Sequence, residues 1–201
     1  MMTFVPWTRP HRLAAVDSAA LVARLVGGDA AALDELYRRE AAPVYRYALA
    51  LCGNAAWAAD ATQEAFIVLV TRPQGFDAGR GALGAYLAGV ARHALAALWR
   101  AQRQETPLAE DDDGESLAAD SGVTASPEQL LVQAQDSAQV WAALRRLPAP
   151  FREALVLVDL QERPYAEAAR IAGVEINTLR TRLHRARLKL AALLGADGRS
   201  P

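Results

Sequence analysis

Apolar positions recur along the chain at helical spacing, and no run of period-two alternation marks a strand. After an irregular start to about Val16, Asp17 can cap a first helix that the Gly27-Gly28 pair ends. Asp29 can cap a second, carried by Leu33, Leu36 and Tyr37, which Pro43 bends or restarts. Asn54, behind Gly53, opens a third through Trp57, Ala61, Phe66 and Val70, and the stretch TRPQGFDAGRG from Thr71 to Gly81 breaks it as a loop. Leu83, Leu87, Val90 and Leu98 resume the pattern from Ala82 to about Arg103. Large apolar residues then thin out from Glu105 to Ala125, which predicts a mobile linker. Order returns at Ser126-Pro127-Glu128-Gln129, which joins a serine cap, a proline at the first helical position and a capping-box glutamine. That helix should run to Leu147, where Pro148 and Pro150 end it and start another from Phe151 to Leu160. The expectation is an all-α chain: two small helical domains, 17–104 and 127–195, joined by a flexible acidic linker at 105–126.

Pro164 to Leu190 carries the most specific pattern. Two short helical stretches meet at Gly173, which can take the left-handed conformation that ends the first, with Ala169 as a small contact point and Val174 tucked under the turn. In the second, Leu179, Leu183, Ala186 and Leu190 share one narrow face. Asn177, Thr178, Arg180, Thr181, His184 and Arg185 lie away from it, and Arg182, Arg187 and Lys189 flank it where phosphates lie beside a groove-docked helix. A solvated basic helix is the plain alternative. Apolar spacing, turn glycine and a nearly acid-free outer face together favour a DNA-reading helix-turn-helix.

Composition sharpens this. The 201 residues are 52% hydrophobic, enough for a real core, and the formal net charge of −1 conceals segregation. From Gln104 to Glu128 every charge is acidic, whereas the segment from Val174 onward is strongly basic. Cys52 is the single cysteine, which excludes an internal disulfide and favours a reducing compartment. Prolines and arginines occupy the start where a signal peptide needs an apolar run, and the apolar runs are too short to span a bilayer, so a cytoplasmic protein is expected.

Little points to catalysis. GRGALG, Gly79 to Gly84, formally matches a dinucleotide fingerprint but lies between helices, without the preceding strand that motif needs. His11, His93 and His184 are scattered, no pair has metal-ligand spacing, and no nucleophile-histidine-acid set is evident. Neither enzyme activity nor a cofactor is expected.

Four segments taken together, DATQEAF (Asp60 to Phe66), AYLAGVARHALAALWR (Ala85 to Arg100), LPAPFREALVLVDLQERPYAEAARIAGV (Leu147 to Val174) and NTLRTRLHRAR (Asn177 to Arg187), resemble bacterial sigma factors of the extracytoplasmic-function group. These keep only the second and fourth conserved sigma regions. The resemblance covers roughly Leu21 to Arg103 and Gln129 to Leu194. It implies that the DATQEAF helix docks on the clamp helices of core RNA polymerase through Asp60, Gln63 and Glu64. It also implies that the following loop and helix open the −10 element. The groups there able to bind phosphates or unstacked bases are Phe76, Arg80, Arg92, His93, Trp99 and Arg100; Tyr86, also present, reads as packing. His93 stands where the family usually has asparagine and Ala97 where it usually has aspartate.

The resulting expectation is a promoter-specificity subunit whose C-terminal domain reads the −35 element of promoter DNA, commonly restrained in this family by an anti-sigma factor. Two rivals remain. One is a helix-turn-helix regulator that works without core polymerase. The other is a sigma mimic that sequesters an anti-sigma factor.

Overall fold

The computed structural model describes residues 11–105 and 139–197, with side chains from 18 to 102 and 139 to 195, and every regular element in them is helical. The linker from residue 106 and the capped start at Ser126 to Gln129 fall outside the described residues. The N-terminal group comprises α1 (His11–Val26), α2 (Ala30–Cys52), α3 (Ala55–Thr71) and α4 (Leu83–Glu105). The C-terminal group has α5 (residues 139–145), α6 (Ala149–Leu155), a π-helical turn (Val156–Leu160), α7 (Tyr165–Ala172) and α8 (Ile176–Asp197).

Local chemistry sets most boundaries. The Asp29 carboxylate accepts from the Ala31 amide at 3.0 Å and the Asn54 side chain from Trp57 at 3.1 Å, each satisfying an amide that the helix leaves without a partner. Gly53 and Gly173 end α2 and α7 in the left-handed region, both at φ 67°. Two expectations fail. Asp17 does not open the first helix, because α1 is already helical from His11 onward. Pro43 does not restart the helix, because α2 runs through it from Ala30 to Cys52. Proline forfeits one backbone hydrogen bond, and here the burial of Leu36, Val44 and Tyr47 on either side holds the helix together.

α2, α3 and α4 pack on one another, with α1 across α2; Leu36, Tyr47, Leu69, Leu83, Leu87 and Leu95 fill the centre. Leu144, Leu147, Leu157, Leu179 and Leu183 do the same for the C-terminal group. The two cores are continuous, because α7 lies on α4 while α6 and the π turn lie on α2. Arg152, 1% exposed, spans this seam. Its guanidinium donates to the Leu51 carbonyl at 2.5 Å, to Arg145 at 2.7 Å and to Leu147 at 2.9 Å.

Cys52 ends α2 beside the seam. Burial pushes its thiol above the ordinary range, and its Sγ donates to the Asn54 carbonyl at 3.2 Å. Since the thiolate is the reactive form, alkylation at neutral pH should be at least about tenfold slower in the folded chain than in denaturant. Equal rates in a colorimetric thiol assay would show that this end of α2 opens readily.

Candidate functional site

Helical geometry puts Asp60, Gln63 and Glu64 of α3 on one exposed strip, and Ile67, 45% exposed, continues it one turn on. Ala58, Ala61, Ala65 and Leu69 face the core instead. The strip is therefore polar at its start and apolar at its end, with Val70 exposed nearby. Ile67 was not singled out by sequence reasoning, because an apolar residue in an apolar helix reads as core.

Around α4 the groups expected to meet single-stranded DNA divide. Arg80, His93 and Arg100 are exposed; His93 Nδ1 lies 2.7 Å from the Gly89 carbonyl and Arg100 Nε donates to Ala96 at 3.1 Å. Phe76 is half-buried against Tyr86, with ring centroids 5.9 Å apart, and Trp99 is half-buried against the core. Arg92 points elsewhere. Its Nε donates to the Glu153 carboxylate of α6 at 2.7 Å.

On α8, Leu179, Leu183 and Ala186 are buried and Leu190 packs against them, as the spacing requires. Asn177, Thr178, Arg180, Thr181, His184 and Arg185 are exposed. A shallow open pocket of about 410 Å³ gathers Asn177, Thr178, Thr181, Arg182 and Arg185 against Phe151 of α6. Arg180 is held over the Tyr165 ring, 5.6 Å from its centroid, and its Nη1 lies 3.4 Å from Asn177 Oδ1. Lys189 lies 5.9 Å from the Phe151 centroid. Arg187 is paired: it donates twice to Asp159, at 2.6 and 2.9 Å, and that carboxylate raises its pKa. With its side chain 54% exposed, it can reach a phosphate only by giving up or sharing this partner.

Sequence reasoning missed Phe151, Arg152, Glu153 and Asp159. A signal existed for two of them. Arg152 and Glu153 interrupt an otherwise apolar run, FREALVLV, at positions in phase with its buried face.

Among the described residues no cluster of histidine, cysteine and acidic side chains could hold a metal ion, and no helix is long and apolar enough to cross a membrane. The surfaces on view are thus a mixed strip on α3, a cationic and aromatic face on α4, and a basic face with a pocket on α8.

Comparison with known proteins identifies the two helical regions that carry these surfaces. Residues 36–105 match Sigma-70 region 2 and residues 137–190 match Sigma-70, region 4. The chain is 34% identical over 166 residues to the ECF RNA polymerase sigma factor SigE of Mycolicibacterium smegmatis, covering 81% of this chain and 63% of that protein. It is 35% identical over 152 residues to the ECF RNA polymerase sigma factor EcfG of Rhodopseudomonas palustris, covering 76% and 79%. The fold is that of CnrH, solved in complex with the cytosolic domain of CnrY, with a TM-score of 0.64 at 23% identity over 89% of this chain and 97% of that one. With both regions matched in order, and a relative covered over 79% of its length, the chain belongs to the extracytoplasmic-function sigma factors of the sigma-70 family.

Proposed function

We propose that the chain is an alternative sigma factor that directs core RNA polymerase to a small set of promoters. One observation carries the reading: regions 2 and 4 occur in order in one chain, and the second presents an exposed basic helix face beside a polar pocket. The N-terminal domain, from residue 17 to 104, would bind the clamp helices of core through Asp60, Gln63 and Glu64, with Ile67 adding apolar contact. Its exposed Arg80, His93 and Arg100 would hold melted −10 DNA. The C-terminal domain would set α8 in the major groove at −35. The chain itself carries no proposed chemistry and acts in the cytoplasm with the polymerase. An anti-sigma factor would be a further partner, a reading supported by the similar fold of the sigma factor RpoE from Bartonella quintana, which was solved in complex with the anti-sigma factor NepR.

Run-off transcription with purified core tests the reading. The wild-type chain should give a discrete transcript, and Asp60→Arg with Glu64→Arg should lower core association about tenfold or more while leaving helicity unchanged, because two attractive charges become repulsive. DNA binding with no core association would instead favour a helix-turn-helix regulator. Core-independent binding of an anti-sigma factor without transcription would favour a mimic.

A further inference from the structure

Arg180 and Arg187 of α8 stand seven residues apart, so they point to the same side of the helix, two turns from each other. Both meet the chain that leads into α7, but their partners differ in kind. Arg187 donates to the Asp159 carboxylate at 2.6 and 2.9 Å, which fixes its position and offsets its charge. Arg180 lies over the Tyr165 ring, 5.6 Å from its centroid, with Nη1 3.4 Å from Asn177 Oδ1. Both of these partners are uncharged, so the Arg180 charge stays available to DNA. A strained turn sets up the contrast. Between the π-helical turn and α7, Glu162 takes φ 50°, a left-handed backbone that a residue with a side chain adopts only at a cost. The turn is closed by the Gln161 amide on the Val156 carbonyl at 2.9 Å and the Arg163 amide on the Leu157 carbonyl at 3.0 Å. Pro164, extended at ψ 142°, then opens α7 with Tyr165 as its first residue. Asp159 and Tyr165 are thereby delivered to the same side of α8. Tyr165 remains 39% exposed, so core packing does not account for an aromatic ring at this position.

We propose that Tyr165 is a specificity-determining positioning residue, whose ring presets the Arg180 side chain toward one base pair of the −35 element. The proposal rests on the sigma-factor reading. An unrestrained arginine on an exposed helix face samples many rotamers and can satisfy its charge on any phosphate, which favours every sequence alike. To bridge guanine O6 and N7, its planar fork must hold one direction. The tyrosine face restrains the guanidinium by cation–π attraction and leaves the charge uncommitted. A carboxylate would restrain it too, but would then compete with DNA, as Asp159 does at Arg187. Side-chain entropy otherwise lost on binding is lost on folding instead, and the base contact keeps more of its strength.

The test uses the full-length chain, assembled with core polymerase, as wild type, Tyr165→Leu, Tyr165→Phe, Arg180→Ala and the Tyr165→Leu, Arg180→Ala pair. Leucine keeps apolar bulk at the start of α7 without a π face, and phenylalanine keeps the face without the hydroxyl. Selection from a randomised −35 library reads the preference, and nitrogen-15 relaxation at Arg180 Nε in the free chain reads the brace directly. Tyr165→Leu should lower discrimination about 2- to 10-fold at the one position that Arg180→Ala relaxes, and leave the other positions unchanged. Tyr165→Phe should match wild type, and the paired variant should discriminate no worse there than Arg180→Ala alone. Arg180 Nε should become more mobile in the leucine variant but not in the phenylalanine one. Wild-type stringency in Tyr165→Leu, or a loss spread evenly over all positions as a purely structural role would give, overturns the proposal. So does an equal loss in Tyr165→Phe, which would put the hydroxyl and not the ring at work. If the wild-type chain with core selects no −35 sequence, the sigma-factor reading falls, and Arg180 mobility alone then judges the brace: equal mobility in wild type and Tyr165→Leu overturns it.

Discussion

Arg152→Ala should lower the stability of the folded chain by about 3–5 kcal/mol, the largest effect expected of any single substitution here. The reason lies in what the guanidinium touches. The last carbonyls of a helix have no amide partner within it and carry the negative end of its dipole. Arg152 supplies donors to two such ends at once, Leu51 near the end of α2 and Arg145 at the end of α5, and also to Leu147 just beyond. Burial lowers its pKa from the ordinary arginine value, but carbonyl oxygens surround the charge and it remains a cation. Alanine removes every donor and leaves three carbonyls facing a cavity, at about 1–3 kcal/mol for each one that water does not reach. Arg152→Met fills the volume but supplies no donor, so it should fall between alanine and wild type. Urea unfolding is the measurement, with the midpoint falling at constant slope. A loss below about 1 kcal/mol for alanine would mean that water replaces the guanidinium and that Arg152 is not a structural keystone.

What the sequence disclosed and what it withheld divide along the range of the interactions. Asp29, Asn54 and Gly173 act within four residues of themselves, so their capping roles were legible from local chemistry. The Leu179, Leu183 and Ala186 face was legible because periodicity alone decides it. Asp17 misled because capping ability is not occupancy: the preceding His11 to Val16 stretch is itself helix-compatible and is already part of α1. Pro43 misled because packing on both sides outweighs one lost hydrogen bond. The set that Glu153 forms by accepting from the Tyr47 hydroxyl and Arg92 was invisible, since its members are separated by 106 and 61 residues and each reads alone as an ordinary helix residue. Arg187 shows the same limit. Its helix face was predicted, but Asp159, which holds it, is 28 residues upstream in a widened π turn that no spacing rule foretells. Periodicity tells which way a side chain points, and long-range pairing decides what it meets.

Base reading by α8 should rest on two arginines, Arg180 and Arg185, which are both exposed but not equivalent. Arg185 lines the pocket with Asn177, Thr178, Thr181 and Arg182, whereas Arg180 is already braced against Tyr165 and Asn177. An arginine that bridges guanine O6 and N7 contributes about 1–3 kcal/mol of discrimination at one base pair, roughly 5- to 150-fold. Arg185→Ala and Arg180→Ala should each relax the −35 preference at one position by an amount in that range. The Arg180 change should also cost some affinity, since a preformed side chain loses less entropy on binding. Arg187→Ala and Lys189→Ala should leave the preference intact and lower binding to every sequence, and the salt dependence should become shallower with each phosphate that is no longer neutralised. The Arg187 effect should be the smaller of these two, because phosphate binding there must first displace or share Asp159. Selection from a randomised −35 library, followed by affinity measurements at several salt concentrations, separates the two classes. If both Arg180→Ala and Arg185→Ala select the wild-type sequence with undiminished stringency, the face of α8 bearing Asn177, Thr181 and His184 does not enter the groove, and the flanking cations must be reassigned with it.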